Sequence, residues 1–116
     1  MKLKLTCLLA LMFLASGALF SQNTKSAVIA LTPTIDLATP KVTLTWSNPN
    51  PAYFVLFRRE KDSPDWYVLL EETGSTTNTF TDNFVTVGQT YEYGIQRVIG
   101  NVFSAGYAMV PLEAPV

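Results

Sequence analysis

Val42-Thr43-Leu44-Thr45-Trp46 alternates strictly: Val42, Leu44 and Trp46 point one way, Thr43 and Thr45 the other. Period-two hydrophobicity of this kind marks a strand with one buried and one wetted face. The stretch predicts a strand over Lys41 to Ser47 and puts Trp46 in a core. Asn48-Pro49-Asn50-Pro51 follows and must be a loop, because neither proline can donate to a ladder.

Working outward, apolar runs recur with turn residues between them. Tyr53 to Glu60 and Trp66 to Glu72 read as strands, separated by a turn at Ser63-Pro64-Asp65. Gly74-Ser75 predicts the next turn and Thr77 to Thr81 a short strand. Thr90 to Ile99 and Val102 to Val110 are joined only by Gly100-Asn101, residues that tolerate positive φ, which predicts a tight hairpin. Upstream, one strand lies within Ser26 to Leu37, where Pro33 confines it to an edge or breaks it in two. No segment after residue 21 repeats apolar residues at helical spacing for three turns. The fold class expected is all-β, an antiparallel sandwich of about seven strands.

The first 21 residues read differently. Lys2 and Lys4 precede an apolar run from Leu5 to Phe20, which closes on the small residues Ala15 to Ala18. That is the pattern of a secretory signal peptide over 1–21, with cleavage after Ala18 or Ser21. The run is shorter than the roughly 20 residues a membrane span needs. The only cysteine, Cys7, lies inside it, so an exported chain would carry no disulfide and would rely on core burial. Pro111 to Val116 reads as a linker or the truncated start of a further domain. The expected location is secreted, extracellular or cell-surface, with the periplasm as another compartment reached by export.

Without Lys2 and Lys4 the chain has six cations against nine acids, a net charge of −3. An acidic domain lacks the basic footprint that nucleic acid requires. Arg58, Arg59 and Lys61 cluster, but Glu60 and Asp62 interrupt them, so they read as a solvated strand end. There is no histidine, which removes Ser-His-Asp and Cys-His catalysis and the usual zinc ligand sets. Glu71 and Glu72 are adjacent and face opposite sides of a strand. Asp62 and Asp65 are too few for a calcium loop, and with Asp82 they read as turn-forming residues. No catalytic residue, cofactor site or metal site is expected, and the chain reads as a non-enzyme.

From Pro40 to Val110 the chain resembles a fibronectin type III domain. Val42 to Trp46 looks like that family's second strand with its core tryptophan, and Tyr53-x-Val55-x-Phe57-Arg58 like its third. Val85-Thr86-Val87-Gly88-Gln89-Thr90-Tyr91 is similar to the family's Leu-x-Pro-Gly-x-x-Tyr approach to the sixth strand, with Val87 where the family has proline. The resemblance implies an immunoglobulin-like sandwich and a corner role for Tyr91, its hydroxyl bonded to upstream backbone. It also makes the strands at Tyr53 and Trp66 neighbours. If Tyr53, Val55, Phe57, Trp66, Val68 and Leu70 face inward, then Phe54, Leu56, Tyr67 and Leu69 form an apolar outer patch beside Gly94. A slip of one residue would exchange the faces. Such a patch would dock a neighbouring domain or a protein partner.

The function expected is that of an exported, bacterial spacer or protein-interaction module of a larger secreted or surface protein. It would be monomeric, bind no nucleic acid and leave the membrane once the signal is removed. The loop Gly100-Asn101 carries no Arg-Gly-Asp triplet for integrin binding. Two other readings stand beside it. One is carbohydrate binding through Trp66, Tyr67, Tyr53 and Tyr107. The other is an accessory domain of a secreted hydrolase whose catalytic domain lies beyond Val116.

Overall fold

The computed structural model describes residues 26–113; the expected signal segment 1–21 lies outside them. The described residues form eight strands: β1 (Ser26–Val28), β2 (Thr32–Asp36), β3 (Lys41–Thr45), β4 (Ala52–Glu60), β5 (Tyr67–Ser75), β6 (Thr79–Asp82), β7 (Thr90–Ile99) and β8 (Val102–Pro111). They make two sheets, one ordered β1-β8-β7-β4-β5 and the other β2-β3-β6. All neighbours are antiparallel except β1, which runs parallel to β8. The fold is an immunoglobulin-like β-sandwich, seven strands if β1 and β2 count as one broken strand.

The break has a visible cause. The chain crosses from the larger sheet to the smaller at Ile29-Ala30-Leu31. Ile29 donates its N–H to the Ala105 carbonyl at 2.8 Å. Its backbone passes directly over Gly106, where a Cβ would overlap the Ile29 carbonyl oxygen. Only glycine allows so close an approach. Pro33 then sits on β2, an edge strand, where a residue without an N–H is tolerated.

The core lies between the sheets. Val42, Leu44 and Trp46 face Phe54, Leu56, Tyr91, Tyr93, Ile95, Ala108 and Val110, and Ile29, Leu31, Val85 and Leu112 close its margins. Trp46 meets Phe54 edge to face, with ring centroids 5.7 Å apart. Each of the larger aliphatic side chains here stabilises the fold by about 2 kcal/mol through removal from water.

Two expectations about extent need correction. The turn placed at Gly74-Ser75 comes later, because β5 runs to Ser75 with Gly74 at φ +61°. Nor does a linker begin at Pro111. Pro111 ends β8 opposite Thr90, and Leu112 is fully buried. Leu112 also exchanges two backbone bonds with the loop before β7, accepting from Gly88 at 2.8 Å and donating to Gln89 at 2.9 Å.

Candidate interaction face

The outward side of the five-stranded sheet is where sequence and structure part. Phe54 and Leu56, expected on an outer patch, are 0 % exposed and belong to the inter-sheet core. Leu69 packs against the same core, and Tyr67 pairs with Arg58, on the side that Phe54 and Leu56 occupy. The proposed patch of Phe54, Leu56, Tyr67 and Leu69 therefore does not exist on the surface. Its faces were exchanged by one residue. Tyr53 to Phe57 is apolar throughout, so alternation cannot choose between the two sides. The pairing of β4 with β5 also shifts between Leu56 and Phe57, with Leu56 opposite Leu70 but Phe57 opposite Val68. That bulge puts Leu69 and Leu70 both against the core and breaks any period-two reading of β5.

The real outer face is built from the odd positions of β4 and the even positions of β7. One cross-strand row runs Val68, Phe57, Gly94, Tyr107; the next runs Glu71, Val55, Gln96, Ala105. Phe57, Val55 and Trp66 form a second, smaller cluster here. Trp66 stands edge-on to Phe57 at 6.5 Å between centroids. Both rings lie over Gly94, where a Cβ would touch each at 3.9 Å. An absent side chain on β7 thus makes the seat for two aromatic rings, one on β4 and one just before β5.

Charge on this face is balanced from within. The Arg59 guanidinium lies over the Trp66 ring, 4.7 Å from its centroid. It donates two hydrogen bonds to Glu92, Nε to Oε2 and Nη2 to Oε1, each at 3.1 Å. The Tyr107 hydroxyl donates to Glu92 Oε1 at 2.6 Å. Burial opposes ionisation of Glu92, but the bonds from Arg59 and Tyr107 outweigh it and hold the carboxyl below its usual range. For Tyr107, burial and then the Glu92 bond push the phenol up to about 12. Tyr53, donating to Glu71 at 2.7 Å, is raised to about 12 by burial and by that carboxylate. Beside the exposed Glu71, the side chains open to solvent are apolar or aromatic: Tyr53 is 38 % exposed, Val68 42 %, Tyr107 49 % and Met109 49 %.

A second polar network lies at the sandwich end where β8 finishes. Asp82, 2 % exposed, accepts from Arg58 Nη1 at 2.9 Å, from the Tyr93 hydroxyl at 2.9 Å and from the Phe84 N–H at 3.0 Å. Arg58 also donates to the Phe84 carbonyl at 2.8 Å and lies over the Tyr91 ring. Tyr93 is pushed well above its usual range by burial and by the Asp82 charge. Tyr91 is buried, and its hydroxyl accepts the Thr86 N–H at 2.8 Å, a bond to upstream backbone. Arg58 and Arg59 are therefore not a solvated strand end. Each neutralises a buried carboxylate that lies 24 or 33 residues away, a spacing with no local signature.

The four aromatics weighed for sugar stacking do not form one platform. Tyr53 and Tyr107 share the outer face on strands separated by β7; Trp66 is buried beneath Arg59, and Tyr67 points to the other side. Among the described residues, no three His, Cys, Asp or Glu side chains are grouped to hold a metal ion.

Comparison with solved structures supplies the family of folds. An Fn3-like protein from Clostridium thermocellum superposes with a TM-score of 0.55 at 19 % identity, covering 76 % of this chain and 93 % of that one. The fn3 domain of human collagen alpha-1(XX) gives 0.56 at 16 %, covering 76 % and 82 %. The fold is that of a fibronectin type III domain. Pectate lyase PelI from Erwinia chrysanthemi, solved in complex with tetragalacturonic acid, also contains a similar sandwich, with a TM-score of 0.56 at 17 % identity. That match covers 70 % of this chain but 27 % of the lyase. No protein-family model and no curated protein matches the sequence. Trp46 lies in the inter-sheet core and the Tyr91 hydroxyl is bonded to upstream backbone.

Proposed function

We propose that this type III fold is a non-enzymatic exported module, a spacer or protein-interaction domain of a larger secreted or surface protein. The observation that carries the reading is the face of the five-stranded sheet over which no described strand lies. Tyr53, Val68, Tyr107 and Met109 stand exposed around a buried Val55–Phe57–Trp66 centre. Interaction surfaces combine a desolvated apolar middle with tyrosine, methionine and arginine at this density. The charged groups beneath are spent on one another and are not poised for proton transfer. The signal-like start at residues 1–21 supports export.

A second reading has one observation in its favour. A similar sandwich occupies about a quarter of the length of a pectate lyase, which fits an accessory domain of a larger secreted enzyme or a carbohydrate-binding module. Titrating the full chain with soluble polysaccharides, polygalacturonate included, while following tryptophan fluorescence separates the two. A protein-interaction module gives no saturable change with any glycan. A saturable shift abolished by Tyr107→Ala would favour sugar.

A further inference from the structure

We infer that the outer face of the five-stranded sheet is covered in solution by the same face of a second copy of this chain. The inference rests on the reading of that face as an interaction surface and names its partner.

Three features favour a second copy. The first is charge. Arg59 is paired with Glu92 inside the face, and both tyrosine hydroxyls are committed to carboxylates. Lys61, exposed beyond the end of β4 and acting on Glu92, adds one cation, and Glu71, already hydrogen-bonded to Tyr53, one acid, so the face is close to neutral. A face of the same neutral, aromatic composition complements it. The second is symmetry. β7 is the middle strand of the sheet, and Gly94 and Gln96 lie at its centre. A two-fold axis there makes each patch its own partner. With that axis running along β7, the two Glu71 side chains, which sit on the β5 margin, lie on opposite sides of the interface. The third is size. Four long strands about 4.8 Å apart and roughly 30 Å long cover about 600 Å² per copy, so two copies bury about 1,200 Å², at the lower end of stable interfaces.

One buried group fits this picture as well. The Gln96 side chain is enclosed on this face among apolar neighbours, and its Nε2 has no acceptor within one copy. A face that encloses an amide in this way is finished as an interior, although no described strand lies over it.

Sedimentation equilibrium of the full chain over a wide concentration range tests the inference. The expected mass rises from that of one chain towards twice that value. Tyr107→Glu and, separately, Met109→Lys should restore the single-chain mass at every concentration with an unchanged β-type circular dichroism spectrum. If either variant loses that spectrum, Tyr53→Arg on the opposite side of the same face decides, with the same expected loss of doubling. A wild-type mass of one chain throughout overturns the inference, as does doubling that survives these substitutions. Neither result touches the broader reading of an interaction module, which fails only if a saturable glycan response appears.

Discussion

Both faces of the five-stranded sheet bury apolar side chains, yet only one packs on the second sheet. The inner face carries Phe54, Leu56, Tyr93 and Ile95 and is closed by β3 with its Val42 and Leu44. The outer face carries Val55, Phe57 and Trp66 and, among the described residues, is closed by its own side chains and the Arg59 guanidinium. Burial on one side is enforced by architecture. On the other it is assembled locally, by a glycine that leaves room and an arginine that caps the ring. Being buried and facing inward are therefore different properties, and this chain separates them.

Substitutions on the two faces should separate just as clearly. The largest effect is expected from Leu56→Lys, which forces an ammonium between the sheets. A loss of about 5 kcal/mol or more should leave no cooperative thermal transition, whereas Tyr107→Glu on the other face should keep one. A Leu56→Lys protein melting like wild type would return Leu56 to the surface.

Next comes the buried ion pair. Asp82→Asn removes one partner of Arg58 and weakens the acceptor for Tyr93 and the Phe84 N–H. Breaking such a pair from one side costs about 3 kcal/mol, read as a shift of the denaturant midpoint at constant slope.

The two glycines give the sharper contrast. Gly106→Ala sets a methyl group against the Ile29 backbone, which cannot give way without shifting the crossover, for a loss of about 2 kcal/mol. Gly94→Ala meets only side-chain and backbone atoms at ordinary contact distance and should cost under about 1 kcal/mol. Equal effects in thermal melts would mean that the crossover does not pass over Gly106.

The smallest effect is electrostatic. Glu92 is held below the ordinary value of about 4.5, so its contribution is complete above that pH and is lost as pH falls through the lowered value. Glu92→Gln should be less stable than wild type at neutral pH, and the difference should shrink as pH falls through the lowered Glu92 value. A difference that does not change with pH would remove the ion pair from the account.

Much of the architecture was legible in the sequence. Val42 to Trp46 announces its own buried side, because threonines separate the apolar residues. Thr90 to Ile99 could be bounded to the residue, between a glycine-led loop and Gly100-Asn101. The outer face was not legible, for two physical reasons. Tyr53 to Phe57 has no polar residue to mark a wet side, and the bulge at Leu69 has no residue type that signals it. Arg58 with Asp82 and Arg59 with Glu92 are pairs made by strand neighbours and loop closure, and chain spacing carries no trace of either. Leu112 was missed because a proline-flanked tail reads as a linker, although its apolar side chain closes the core.

Which way β4 faces is the point on which the rest turns. Aromatic cross-relaxation in a two-dimensional NMR spectrum measures it without perturbing the protein. The account predicts a contact between the Trp46 and Phe54 rings, a separate one between Phe57 and Trp66, and none between Trp46 and Phe57. A Trp46–Phe57 contact without one between Trp46 and Phe54 would turn the strand over and contradict both faces described.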